Sequence, residues 1–205
     1  GRGEERGVAR TGGVVPGGDT GLAKASLPVA AGNAMIATMQ GDKSIVGAAN
    51  FFPFRSGYPD EVTALIKEAQ STHKKKVAVV YWNVTFGPTM VKLAQEVSKQ
   101  EGLNVTAWVQ IDATAPDKFD AIMKQAVDEV VKQSPDAVIM LISGRYSMEF
   151  IKQIRNSPAH SAQLYAMSIV PSGDVIKTVG EAKARGLVIA QAVPFPFTTT
   201  RPLVA

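Results

Sequence analysis

The 205-residue chain has no cysteine and only two histidines, His73 and His160. Without thiols, disulfides, thiolate nucleophiles and cysteine-ligated metals are excluded. His73 adjoins a lysine run and His160 lies in a predicted helix-exit loop, so both are expected at the surface. Neither stands at metal-ligand spacing from carboxylates, and no Ser-His-Asp set falls on converging strand ends. The segment Gly17-Gly18-Asp19-Thr20-Gly21 is glycine-rich but lacks the Lys-Ser/Thr ending and the spacing of a phosphate-binding loop. No dinucleotide fingerprint follows a predicted strand. These absences predict a protein that is not an enzyme and needs no cofactor or metal.

Long apolar runs are also missing. The longest, Ala137 to Ile142, falls far short of the roughly 20 residues that span a bilayer as a helix. The first residues, Gly1-Arg2-Gly3-Glu4-Glu5-Arg6, are not followed by the apolar stretch of a secretory leader. That start predicts either a cytosolic chain or one whose true beginning is absent. Charge of one sign is scarce too: 22 basic against 18 acidic residues give a net +4. The basic residues are scattered, and their one tight run, Lys74-Lys75-Lys76, precedes an apolar strand as a solvated loop would. Nucleic acid is therefore not an expected partner.

What remains is an ordinary globular balance, 45% hydrophobic and 20% charged, with few aromatics, so the core falls to Val, Ile, Leu, Ala and Met. Residues 1–21 are rich in Gly and Arg without periodicity and read as an irregular segment. A short helix is expected over Leu22 to Ala31, then a strand at Ala34-Met35-Ile36-Ala37 and an extended piece from Phe51 to Arg55. From Pro59 the pattern becomes regular. A helix starts there with Asp60 as its expected N-cap, presenting Val62, Leu65, Ile66 and Ala69 on one face. Apolar runs at Val77 to Trp82, Val105 to Ile111, Ala137 to Ile142, Leu164 to Met167 and Leu187 to Val193 predict five strands. Helices are expected between them at Pro88 to Gln100, from Phe119 to about Ser134, at Ser147 to Ser157 and at Gly173 to Lys183. Gly102 and Pro158 punctuate two of these helices. Asp112, Asp117 and Asp120 crowd one loop and helix start, where capping is the expected role.

Five alternations of strand and helix predict an α/β fold with a parallel sheet covered on both faces. Such sheets bind ligands beyond the carboxyl ends of their strands, which directs attention to the strand-end loops. These read Ala37-Thr38-Met39-Gln40-Gly41-Asp42, Asn83-Val84-Thr85-Phe86-Gly87, Ser143-Gly144-Arg145-Tyr146 and Ser168-Ile169-Val170-Pro171-Ser172-Gly173. An aromatic beside hydroxyls and glycine amides suits a small polar ligand. The same rings could instead simply cover the sheet ends.

Several stretches carry a more specific likeness. They are Phe52-Pro53-Phe54-Arg55-Ser56-Gly57-Tyr58-Pro59-Asp60-Glu61, the strand Val77-Ala78-Val79-Val80-Tyr81, the turn Phe86-Gly87 and Pro135-Asp136-Ala137-Val138. Gln153-Ile154-Arg155 and Gly186-Leu187-Val188 through Pro194 extend it. In this order and spacing the chain resembles the type I periplasmic binding proteins, the leucine/isoleucine/valine-binding branch of transporter receptors, over roughly residues 20–205.

The resemblance implies two doubly wound lobes with the first incomplete: an irregular segment at 1–21, a partial first lobe at 22–57, a second lobe at 58–193 and a truncated return at 194–205. It implies the extracytoplasmic, periplasmic substrate-binding component of an ABC transporter, a monomer that holds a small polar solute between its lobes and docks on a membrane permease. Carried over by position, the ligand-binding candidates are Met39, Gln40 and Gly41 in the first lobe and Phe86, Ser143, Gly144, Arg145, Tyr146 and Ser168 in the second. Amino-acid-binding members place a carboxylate near the position of Ser168; the nearest acid in the sequence is Asp174. With Arg145 among the candidates, that absence favours an organic carboxylate without an amine over an α-amino acid. A ligand-sensing regulatory or receptor domain of the same fold is the alternative reading, and an α/β enzyme a third that no catalytic constellation supports.

Overall fold

The computed structural model describes residues 35–36, 51–52, 56–84 and 86–192. Strands β1 (Met35–Ile36) and β2 (Phe51–Phe52) pair in parallel, Met35 opposite Phe51. A five-stranded sheet follows, formed by β3 (Val77–Trp82), β4 (Val105–Ile111), β5 (Ala137–Leu141), β6 (Gln163–Ala166) and β7 (Leu187–Ile189). Its order is β4-β3-β5-β6-β7 and every neighbouring pair is parallel. The expected parallel α/β architecture is the one observed. The segment expected as a helix over Leu22 to Ala31 lies outside the described residues.

Side chains that alternate along each strand separate into two cores, because successive residues of a strand face opposite sides. Helices α1 (Tyr58–Ser71) and α2 (Gly87–Glu101) cover Val77, Val79, Ala137, Ile139, Leu141, Tyr165 and Met167. On the other face α3 (Phe119–Lys132), α4 (Gly144–Ile154) and α5 (Ser172–Val179) cover Ala78, Val80, Val109, Val138, Met140, Ile142, Leu164 and Ala166. Central β5 is buried along its whole length, so its apolar run has no polar alternation to show. Each large aliphatic side chain removed from water in this way stabilises the fold by about 2 kcal/mol.

Several boundaries differ from the sequence expectation, each for a local reason. Asp60 is not the N-cap of α1. That role falls to Gly57, whose backbone N–H donates to the Asp60 carboxylate at 3.1 Å from the first turn. Helix α4 begins at Gly144 rather than Ser147. The Ser147 hydroxyl donates back to the Gly144 carbonyl at 2.8 Å, and Ser143 precedes the first turn. The expected Gly173–Lys183 helix is two, α5 and α6 (Glu181–Ala184), separated by Gly180 at φ +82°. Asp112 caps no helix; its contacts belong to the candidate site below.

The amino ends of the strands are held by polar side chains bonded to main chain. The Asp136 carboxylate accepts from the backbone N–H groups of Lys75 and Lys76, both at 3.0 Å, and so ties the start of β3 to that of β5. This is the physical content of the Pro135-Asp136-Ala137 turn. Asn104 donates to the Lys75 carbonyl at 2.8 Å, adding the start of β4. The Arg155 guanidinium donates to the carbonyls of His160, Ala162 and Lys183 at 2.5, 2.8 and 3.2 Å, stitching the end of α4, the start of β6 and α6 together. Burial pulls its pKa down from the ordinary arginine value.

Candidate functional site

The strand order β4-β3-β5 makes the gap between β3 and β5 the switch point, where the chain's path turns from one side of the sheet to the other. Ligand crevices of doubly wound sheets open there, beyond the carboxyl ends. The two strands run side by side to Tyr81 and Leu141. Their continuations, Trp82 to Phe86 and Ile142 to Tyr146, therefore emerge next to each other.

Those continuations carry a row of rings. Phe86 precedes α2 and is buried, its centroid 5.0 Å from that of Tyr58 and 5.2 Å from that of Trp82. Trp82 lies 6.0 Å from Tyr146, edge to face, and Tyr146 lies 5.0 Å from Phe119 in the same manner. The row thus runs Tyr58, Phe86, Trp82, Tyr146, Phe119 across the end of the sheet. Trp82, at the last position of β3, packs against both cores. Offset and edge-on pairs of this kind are each worth roughly 0.5–1.5 kcal/mol beyond their buried area.

Gly87 explains the turn after Phe86. A β-carbon there would stand 2.0 Å from the Trp82 carbonyl oxygen and 2.5 Å from its indole Cδ1. Only glycine lets α2 start this close to the end of β3.

At the β5 side, Ser143 is extended and Gly144 takes φ +58°, a left-handed conformation that glycine adopts without strain. That bend projects Arg145 outward. Its guanidinium carbon lies 4.3 Å from the Phe119 ring centroid and 5.3 Å from that of Tyr146. Arg145 is exposed, and no carboxylate among the described residues pairs with it.

The loop after β6 is held differently. Ser168 donates its backbone N–H to Glu61 at 2.8 Å and its hydroxyl to the other oxygen of the same carboxylate at 3.1 Å. Glu61 is buried in the first turn of α1. The acid closest to Ser168 in space is thus not Asp174, the nearest in sequence, but one 107 residues away in the chain.

Beyond β4, Asp112 takes three bonds on one oxygen: the Thr114 hydroxyl at 2.6 Å, the Asn83 amide at 2.7 Å and the Thr114 backbone N–H at 3.0 Å. Asn83 also accepts from the Ala113 N–H at 2.9 Å, so the ends of β3 and β4 are latched. The Thr114 hydroxyl first, then Asn83 and the Thr114 N–H, hold the Asp112 pKa below the usual carboxylate value. Asp117 and Asp120 lie in the first turns of a short 3-10 helix (Pro116–Lys118) and of α3, positions favoured by the helix dipole, without forming a side-chain cap.

Of the candidates from sequence, Phe86, Ser143, Gly144, Arg145 and Tyr146 come from the two strands that flank the switch point. Ser168 follows β6, one strand further out. Met39, Gln40 and Gly41 lie outside the described residues. Sequence reading missed Trp82, Phe119 and Glu61. Trp82 was hidden as the last residue of an apolar strand, and the other two reach the site only through the strand order.

A family model described as periplasmic binding protein matches residues 11–203. None of the curated proteins matches the chain. Among solved structures, a substrate-binding periplasmic protein from Ralstonia solanacearum superposes with a TM-score of 0.75 at 19% identity, covering 91% of this chain and 52% of that one. A branched chain amino acid ABC transporter protein from Thermus thermophilus with bound valine gives 0.65 at 17% identity, covering 83% and 44%. An ABC transporter solute binding protein from R. palustris in complex with benzoate gives 0.62 at 18% identity, covering 76% and 43%. The chain spans about half the length of these structures. At these identities the likeness is one of fold.

Proposed function

This chain belongs to the periplasmic binding protein family, and we propose that it is part of an extracytoplasmic substrate-binding component of an ABC transporter. In this reading residues 58–193 form one lobe, residues 22–57 and 194–205 belong to the other, and a small solute is enclosed between them for delivery to a membrane permease. The solute is an organic carboxylate, and the ring row with Arg145 is this lobe's share of the site.

One observation carries the reading. A guanidinium free of any carboxylate partner among the described residues stands at the switch point beside a wall of aromatic rings. Arginine's planar fork suits a two-oxygen anion, and the rings supply apolar surface for the remainder of the ligand. The ligands named for two of the similar structures, valine and benzoate, have a carboxylate in common and little else. Phe86, Ser143, Gly144 and Tyr146 would line the crevice with it. Met39, Gln40 and Gly41 would close it from the other lobe.

The Glu61 carboxylate bears on the amine question. It is engaged by both donors of Ser168, so it serves the loop after β6 rather than standing ready for an ammonium group. This supports a carboxylate ligand without an amine. Titration of the chain with benzoate, benzamide and valine, followed by thermal shift, tests the proposal. Benzoate should stabilise, benzamide should not, and Arg145→Ala should abolish the difference. Equal stabilisation by benzamide, or a benzoate effect undiminished in the variant, would refute it.

A further inference from the structure

We infer that Phe119 is the positioning residue that holds Arg145 as an anion receptor, which makes the specificity of the site depend on a ring outside its strand-end loops. The inference rests on the carboxylate reading above and assigns a role to a residue that reading does not use.

The argument begins with what restrains Arg145. An exposed arginine on a helix's first turn ordinarily samples many rotamers, and fixing it opposes the entropy of its long side chain. Two kinds of contact hold such a side chain: oxygen acceptors, whether a carboxylate or backbone carbonyls such as those that hold Arg155, or a surface on which the guanidinium can rest. Here no carboxylate pairs with it among the described residues. The surface is present. The guanidinium carbon is 4.3 Å from the Phe119 centroid, nearer than the 5.3 Å to its neighbour Tyr146.

The two ways of holding an arginine have opposite consequences for binding. A carboxylate partner occupies the N–H donors, and a ligand anion would have to displace it. A ring attracts the cation through its quadrupole and occupies none of them. Arg145 therefore keeps its hydrogen-bonding edge available while its position is restrained.

Phe119 is itself firmly placed. It is the first residue of α3, half-buried, and packs against the core on that face of the sheet. Its ring makes an edge contact with Tyr146 at 5.0 Å. The loop from Asp112 to Lys118 that delivers it is latched to β3 by the Asn83 and Asp112 bonds. The platform is thus built from the ends of β4, β3 and β5 together, and it draws the edge strand β4 into a site whose crevice lies between β3 and β5.

The test is a double-mutant cycle on the 205-residue chain, with benzoate as probe and benzamide as its uncharged counterpart. Binding is followed by two-dimensional NMR. Phe119→Leu keeps apolar bulk without the ring face, and Phe119→Trp keeps a ring. Phe119→Leu should weaken benzoate about three- to fivefold, in line with an exposed cation–π contact, and leave benzamide unchanged. Phe119→Trp should retain the wild-type affinity. In an Arg145→Ala background Phe119→Leu should have no further effect, because the ring acts through the arginine. Undiminished benzoate affinity in Phe119→Leu would overturn the positioning role while leaving the carboxylate reading intact. An equal loss in the Arg145→Ala background would do the same, since the ring would then touch the ligand or merely support the fold. A wild-type chain that fails to prefer benzoate to benzamide would overturn the underlying reading instead.

Discussion

Two arginines, one at each end of the sheet, are used in opposite ways. Arg155, at the amino ends, is half-buried and directs its donors to three backbone carbonyls from two separate segments. Arg145, at the carboxyl ends, rests on two rings and has no acceptor among the described residues. The contrast extends to their surroundings. At the amino ends Asp136 and Asn104 bond backbone groups of the neighbouring strand starts. At the carboxyl ends the most prominent side chains are rings in contact with rings. On the proposed reading, a lobe that completes a shared cleft would divide the tasks of folding and binding between the ends of its strands. Arg155, Asp136 and Asn104 at the amino ends are bonded within the protein. At the carboxyl ends Asp112 and Ser168 are also bonded internally, and Arg145 stands apart from them in having no acceptor among the described residues.

The sharpest way to break this division is at Gly87. Although it lies at the carboxyl end, its role is purely steric, and Gly87→Ala would drive a methyl group into the Trp82 backbone. Destabilisation of about 3 kcal/mol is expected, read as a large fall in the urea midpoint. A midpoint within error of wild type would mean that the turn after β3 yields easily and that Trp82 is not held by it.

The arginines themselves give the next largest effect. Arg155→Ala should lower stability by about 2 kcal/mol, since three carbonyls lose a charged donor. Arg145→Ala should leave stability within about 0.5 kcal/mol, as exposed substitutions usually do, and act on ligand binding alone. Similar losses of stability in the two variants would erase the distinction.

The smallest effect concerns pH. Bonds to Thr114 and Asn83 keep the Asp112 pKa below its unfolded value. The sign follows from linkage: a depressed carboxylate adds stability above the unfolded pKa, near 4, which is lost as pH falls through the folded pKa. Asp112→Asn should therefore lower stability slightly at neutral pH and flatten the acid limb below about pH 4. Because the residue is only partly buried and its bonds to Thr114 lie at the surface, the change should be small. An acid limb identical to wild type would show that the latch between β3 and β4 contributes nothing measurable.

The order of strands and helices from Tyr58 onward was legible in the sequence because periods of 2 and 3.6 residues are imposed by burial and survive in a single chain. Boundaries were less so. Ser147 has the side chain of a cap but bonds within its own helix, and Gly180 interrupts a segment whose apolar pattern continues across it. In the candidate site, Phe86, Arg145 and Tyr146 were visible as residues that follow strands. Phe119 and Glu61 were not, since their neighbours come from the spatial order β4-β3-β5-β6 and not from sequence spacing. The Asp136 turn shows the opposite case, a short motif whose meaning is an ordinary hydrogen-bond bridge between strand starts.

The position of Trp82 has a spectroscopic consequence. The chain has two tryptophans. Trp108 lies in β4 opposite Val79 and packs only on the side of α1 and α2. Trp82, opposite Ile111, touches both cores and ends beside Phe86 and Tyr146. Their indoles therefore sense different events, and Trp108→Phe converts the protein into a single-emitter sensor whose fluorescence follows the switch point, while Trp82→Phe leaves an emitter that follows the packing of one face of the sheet.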